Sequence, residues 1–501
     1  MSASVPGTVS RAMKLGRLFR NVSVTLSDGA ATTEISGLAC DSRAVRPGDL
    51  FIALPGEKTD GALYIEDAAR RGAVAVMHEK GLKPPRSLVS VCVEGARTAM
   101  ADVAAEFFGH PSEKLHVVGV TGTNGKTTTV FMIRDILRAA EIPCGLIGTI
   151  RYECGGRLLT ATRTTPESLD LQRYFAETLQ AGGRAMAMEV SSQGLAAERL
   201  RGTRFSAAVF TNLTIDHLDF HKTMEAYYDA KKRLFETLAA RSPSAPAAVN
   251  IDDPYGRRLA NEAFLAGRLF TFGCHPEAQV RAVDIQLSEA GSTFRALTPW
   301  GEMAVQLNLA GRFNISNALG ALAVCGALGV PVERMGEALS NLSCVPGRLE
   351  GVEDLRGRHI FVDYAHTEDA LRNVLQTLRE TTTGRLICVF GCGGNRDRSK
   401  RPRMGAAVSE LADVAVVTSD NPRNEAPQDI LNEILAGMNL GKPHQVELDR
   451  AKAIRAALQL ACAGDTVLIA GKGHETYQEI AGRMTHFDDR EVVREAIAEG
   501  L

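Results

Sequence analysis

The segment that most constrains this chain is Leu115-His116-Val117-Val118-Gly119-Val120 followed by Thr121-Gly122-Thr123-Asn124-Gly125-Lys126-Thr127-Thr128. A continuous apolar run, a glycine-rich loop and helical periodicity over 126–140 read as strand, loop and helix. That order suits a phosphate. The glycines let backbone N–H groups come close, and the helix N-terminus adds positive partial charge. Lys126 is expected to reach the terminal phosphates and Thr127 to offer its hydroxyl to Mg²⁺. The pattern GxxxxGK[ST] asks for glycine where the chain has Val120, so the match is the shorter GxxGK[ST].

A strand of this kind belongs to a sheet buried on both faces, and more such strands are expected at 185–190, 207–211, 247–250 and 269–272. Helical stretches separate most of them, so the sheet should be mostly parallel. A chain of 501 residues holds about three domains. Residues 1–95 read as a small mixed domain with strands at 50–54 and 73–77 and a helix at 66–71. Residues 96–344 read as a central ATPase-like parallel domain, opened by a helix at 96–108. Residues 345–501 read as a Rossmann-like α/β domain with strands at 359–362, 386–390, 414–418 and 466–470.

Composition closes off other classes. The 57 basic and 59 acidic residues leave a net charge of −2, so nucleic acid is not an expected partner. Ten scattered cysteines without a CxxC fit free thiols in a reducing compartment. Arg11, Lys14, Arg17 and Arg20 punctuate the first residues, no apolar run follows, and no membrane helix is expected. The expectation is a cytoplasmic protein, monomeric, acting on small molecules.

Several acids and bases lie where chemistry is plausible. Glu189 ends an apolar strand, where a buried carboxylate needs a partner such as Mg²⁺ or a salt bridge. His217 sits in an acidic block with Asp216 and Asp219, which alone reads as a loop or helix cap. Lys231, in Tyr227-Tyr228-Asp229-Ala230-Lys231, alone reads as a solvated helix lysine.

Taken together, these segments resemble a known family. Gly122-Thr123-Asn124-Gly125-Lys126-Thr127-Thr128 is similar to the ATP loop of the Mur ligases, which build the peptide stem of bacterial peptidoglycan. Glu189-Val190-Ser191-Ser192, Thr211-Asn212-Leu213, Asp216-His217, Ala230-Lys231, Gly311-Arg312-Phe313-Asn314 with Asn317, Pro346-Gly347-Arg348 and Asp363-Tyr364-Ala365-His366 follow in the family's order. The resemblance implies ATP and Mg²⁺, with Thr127, Glu189, His217 and a carbamylated Lys231 around the metal. It places Asn314, Asn317, Arg348 and Asp363 beside the nucleotide. The implied reaction turns a carboxylate into an acyl phosphate, which an amine then attacks.

Asp41-Ser42-Arg43 and Gly56-Glu57-Lys58-Thr59-Asp60-Gly61 resemble the uridine-nucleotide end of the members that add the third stem residue. Thr164, Thr165, Ser191 and Arg199 resemble their contacts to UDP-MurNAc-L-Ala-D-Glu. Gln193, Ala197 and Glu368 depart from the residues usual in that group. The incoming amino acid is read from Asp420-Asn421-Pro422-Arg423, a loop after a strand. Arg423 and Arg396 offer planar forks to a carboxylate, and Glu475, after Gly471-Lys472-Gly473, can accept from an ammonium. Alone, Arg423 could equally be a loop salt bridge. The set fits meso-diaminopimelate. Rival readings are L-lysine as the amino acid, a folylpolyglutamate synthetase-like ligase, and a P-loop ATPase that ligates nothing.

Overall fold

The computed structural model describes residues 12–501 except 28 and 57–59. Arg11 and the Glu57-Lys58-Thr59 part of the expected uridine-nucleotide segment therefore lie outside the described residues.

The central sheet has eleven strands. Six run parallel in the order Cys144–Ile147, Ala185–Glu189, His116–Thr121, Ala207–Phe210, Ala247–Asn250 and Leu269–Gly273. Val117 and Val118 show why an uninterrupted apolar run is needed. Val118 packs with Ile133 and Leu322 on one face, and Val117 with Phe175 and Leu234 on the other. Register sets the site, because Glu189 pairs with Val120 and Phe210 with Thr121. The acid and the phosphate loop thus emerge at the same level.

The sheet continues beyond the expected parallel core. A hairpin, Arg151–Cys154 with Arg157–Thr160, adds antiparallel strands at one edge. At the other edge Val280–Ser288 runs parallel to its neighbour, and Gly291–Thr298 and Gly301–Leu307 follow antiparallel. These strands alternate buried and exposed residues, as half-covered strands do.

The N-terminal sheet has five strands, ordered Val24–Leu26, Val89–Val93, Ala75–Glu79, Asp49–Ile52 and Gly37–Ala39. The first pair is antiparallel and the rest are parallel. Residue 96, the expected start of the central unit, opens the helix Ala96–Phe107. That helix packs Ala99, Met100 and Val103 into the N-terminal core.

The C-terminal sheet has six strands, ordered Glu350–Val352, His359–Asp363, Thr466–Ala470, Leu386–Phe390, Val414–Val417 and His444–Val446. Only the first pair is antiparallel. All ten cysteines are free, and no helix among the described residues is long and apolar enough to cross a membrane.

Candidate functional site

A cavity of about 940 Å³ lies where the central strands end and the C-terminal unit faces them. Residues 123–128 form one wall, with Thr149, Thr164 and Thr165 nearby and the helix Glu368–Thr381 opposite. The phosphate loop is built by neighbours. Thr123 N donates to Asn212 O at 2.9 Å, Asn124 N to Asn212 Oδ1 at 2.9 Å, and Thr211 Oγ1 to Asn124 O at 2.6 Å. Gly125 has φ +83°, and a Cβ there would lie 2.2 Å from Asn317 Oδ1, so only glycine fits. The first-turn N–H groups of the helix Lys126–Ala139 have no acceptor within the helix and are available to an anion.

Two lysines converge on this loop. Lys126 Nζ donates to the carbonyls of Gly122 and Thr123, both at 2.8 Å, and Lys231 Nζ donates to the same Gly122 carbonyl at 2.8 Å. Lys231 is not solvated: it is 1 % exposed, on the face of the helix Met224–Arg241 that buries Tyr227, Leu234 and Leu238. Among the described residues no carboxylate forms an ion pair with it, and its ammonium lies 4.4 Å from the Tyr227 ring centre. Burial, with Lys126 nearby, holds its pKa well below the usual ammonium range.

Glu189 is 1 % exposed and, among the described residues, has no cationic partner within salt-bridge distance. Its oxygens accept from Thr127 Oγ1 at 3.0 Å, Thr149 N at 2.8 Å and Thr149 Oγ1 at 3.1 Å. His217 lines the same cavity, with Nε2 3.5 Å from Asp216 Oδ2 and its pKa lowered by burial. Among the described residues no three His, Cys, Asp or Glu side chains converge into a cation cage. An unpaired buried carboxylate beside a hydroxyl is nevertheless a hard-oxygen set that fits Mg²⁺, which takes few protein ligands and completes its shell from phosphates.

The C-terminal unit reaches into the cleft. Arg348 Nη2 donates to Thr127 Oγ1 at 3.0 Å, and its Nε is buried without an acceptor, a vacant donor suited to a phosphate. Asp363 supports this arginine's loop by accepting from Leu349 N and Ala365 N, both at 2.7 Å. Asn317 lines the cavity. Asn314 lies behind it, donating to Ala310 O at 2.8 Å and accepting from Asn317 at 3.1 Å. Sequence reasoning missed Asp369, whose Oδ2 accepts from Asn124 Nδ2 at 2.9 Å and Thr214 Oγ1 at 2.8 Å. One carboxylate oxygen thus ties the phosphate loop to the C-terminal unit. Asp369→Ala is expected to weaken the docking of the C-terminal unit on the phosphate loop by about tenfold, the worth of charge-assisted bonds. Small-angle X-ray scattering would read this as a larger radius of gyration, and an unchanged radius would show that other contacts hold the units together.

The expected dipeptide contacts line the same cavity. Thr165 Oγ1 donates to Glu189 O at 3.0 Å and accepts from Ser191 N at 2.9 Å, and Arg199 Nη1 donates to Thr165 O at 3.2 Å. Arg97, Arg163 and Arg199 all approach Glu167, at 3.2, 3.1 and 3.2 Å, and of these three the sequence singles out only Arg199. Ser42 is buried in the N-terminal unit and does not line the cavity.

The amino-acid residues form a separate group at the ends of the C-terminal strands. Arg423 Nη1 donates to Gly394 O at 2.9 Å, and its Nε lies 3.3 Å from Glu479 Oε2. Arg396 is exposed. Both flank Gly393, where a Cβ would meet Arg423 Nη1 at 2.9 Å and Arg396 Cγ at 3.8 Å. Asp420, Asn421 and Pro422 are buried. Asn421 holds the loop rather than facing outward, donating to Glu475 Oε2 at 2.9 Å and accepting from Glu479 N at 3.0 Å. Lys472, also unforeseen, places its ammonium 3.2 Å from Glu475 Oε2. Gly471 takes φ +118° beside Asp420.

Three family models match in chain order: "Mur ligase family, catalytic domain" over 34–107, "Mur ligase middle domain" over 120–325 and "Mur ligase, glutamate ligase domain" over 347–473. The chain belongs to the Mur ligase family. A protein of Geobacter metallireducens named UDP-N-acetylmuramoyl-L-alanyl-D-glutamate–2,6-diaminopimelate ligase is 44% identical, over 97% of this chain and 99% of its own. A protein of Solibacter usitatus with the same name is 46% identical over 97% and 98%. A solved structure of a ligase so named superposes with a TM-score of 0.68 at 32% identity, covering 97% of this chain and 99% of its own. In this Mur ligase the phosphate loop, Glu189 and Arg348 thus lie within matched segments, as does the Arg396–Arg423 pair.

Proposed function

We propose that this Mur ligase joins meso-2,6-diaminopimelate to the D-Glu carboxylate of UDP-MurNAc-L-Ala-D-Glu, consuming ATP. The observation that carries the reading is the placement of Arg396 and Arg423 around Gly393, one loop from Glu475. Two guanidinium groups and a carboxylate match the carboxylate and ammonium at the far end of diaminopimelate. The names of the relatives support the same choice. The three units then divide the work: residues 1–95 for the uridine nucleotide, 96–344 for ATP and 345–501 for the amino acid.

In this reading the γ-phosphoryl group passes from ATP to a carboxylate oxygen of the dipeptide, giving ADP and an acyl phosphate. The amine attacks the acyl carbon and loses a proton, and the tetrahedral intermediate so formed expels phosphate. Lys126 and Arg348 oppose the charge of the transferring group. Thr127 and Glu189, with His217 and a carbamylated Lys231, would hold Mg²⁺, which neutralises phosphate charge when bound. We place the enzyme in the cytoplasm as a monomer.

The test is phosphate release with UDP-MurNAc-L-Ala-D-Glu and either amino acid. Release should depend on meso-diaminopimelate and stay near background with L-lysine. Steady release without any amino acid would favour a P-loop ATPase, and equal release with lysine would remove the amino-acid assignment.

Lys231 gives a second expectation. Only a neutral amine adds CO₂, and burial beside Lys126 favours that form. The carbamate would add a second anionic oxygen donor to the cavity that Glu189 lines. Lys231→Ala should lose about 10²-fold or more in kcat, as removal of one charge-stabilising group does, and short carboxylic acids should restore part of it. A crystal structure of active enzyme showing unmodified lysine would count against the carbamate.

A further inference from the structure

The two guanidinium groups assigned to the amino acid sit on loops from different strands, so something must fix their spacing. Arg396 follows the strand Leu386–Phe390 and Arg423 follows Val414–Val417. The loops touch through Gly394 N to Asn421 O at 2.9 Å and Asn424 N to Asn395 Oδ1 at 3.1 Å. Asn395 N also donates to Glu425 Oε1, next to Arg396 in the chain.

Glu425 is itself clamped. Arg401, 0 % exposed on the helix Lys400–Leu411, gives Nη1 to Glu425 Oε2 and Nη2 to Glu425 Oε1, both at 2.9 Å. Its Nη1 also meets Glu433 Oε2 at 2.9 Å, on the helix Pro427–Leu435, and its Nη2 meets Gly393 O at 3.4 Å. Gly393 is the residue that both Arg396 and Arg423 flank.

A planar fork held bidentate by one carboxylate and braced by a second permits one orientation of Glu425, which a lysine's point charge does not. We infer that Arg401 is a positioning residue for amino-acid selection: it clamps Glu425 and thereby sets the spacing of the Arg396 and Arg423 loops. It touches no substrate. The inference rests on the proposed diaminopimelate reading and adds a residue that reading does not name. Arg401 is buried while Glu425 and Glu433 are partly exposed, so the cluster is a weak source of stability and its contribution is geometric.

The test compares wild type, Arg401→Lys and Glu425→Gln in the full-length enzyme. Arg401→Lys keeps the charge and loses the fork. Glu425→Gln keeps the shape and weakens the clamp, and it carries the test if the buried substitution does not fold. KM for meso-diaminopimelate should rise about tenfold or more, since small misplacements of binding groups are costly. KM for ATP should stay within about twofold. A folded variant with unchanged diaminopimelate KM overturns the inference, as does an equal loss for ATP and the amino acid, the mark of a general structural effect. If wild type fails to prefer diaminopimelate over lysine, the proposed function falls and takes this inference with it. A selective wild type with an unmoved variant sinks only the role of Arg401.

Discussion

Lys126→Ala is expected to lower turnover by about 10³-fold or more while the protein stays folded. Phosphoryl transfer spreads negative charge over the transferred group, and a preorganised cation aimed at that charge contributes as much as any single group to such catalysis. Lys126 is the cation carried by the phosphate loop itself. Its present partners are the carbonyls of Gly122 and Thr123; Gly122 O keeps Lys231 as a donor, and Thr123 lines the cavity, where water can replace the ammonium when it is removed. The fold should therefore lose little. The substitution also removes a neighbouring cation from Lys231 and should raise that residue's pKa. Steady-state kinetics beside a thermal melt checks this. Near-normal turnover in a folded Lys126→Ala protein would show that the loop does not serve phosphoryl transfer.

What the sequence revealed follows from how locally each feature is encoded. The strands His116–Thr121, Ala247–Asn250, Leu386–Phe390 and Thr466–Ala470 are buried on both faces, so their apolar runs are uninterrupted and readable. The strands from Val280 to Leu307 bury one face only, and in the first of them the alternation slips phase at a bulge between Val283 and Gln286. Lys231 was readable in part. It lies four residues after Tyr227 and three before Leu234, on the apolar face of its helix, yet the neighbouring Lys232 and Arg233 make the segment look solvated. The remaining partners are separated by too much chain. Asn124 meets Asp369 across 245 residues, and Arg401 meets Glu433 across 32. A pairing between one ordinary acid and one ordinary base at such distance leaves no pattern in a single sequence. Only the fold brings them together.

Arg423→Ala is expected to reduce kcat/KM for meso-diaminopimelate by about 10²- to 10³-fold, the cost of losing a charge-assisted contact in a covered site. Diaminopimelate differs from lysine by one carboxylate at the far end. Arg423 is already set for that group: Gly394 O and Glu479 hold its guanidinium against Gly393, leaving part of its fork free. Arg396, exposed on the facing loop, supplies the second fork. Lysine bound here would cover both cations without pairing them. A site built around a polar group rejects the analogue lacking it by roughly 10⁴-fold, because a desolvated charged donor left unsatisfied is expensive. Wild type should discriminate on that scale. Arg423→Ala need not become a lysine enzyme, since nothing would then hold the lysine tail, and its KM for ATP should stay within about twofold because the phosphate loop is built from other elements. The decisive measurement is kcat/KM for both amino acids in wild type and in Arg423→Ala. Comparable wild-type values for lysine and diaminopimelate would show that this loop does not read the second carboxylate.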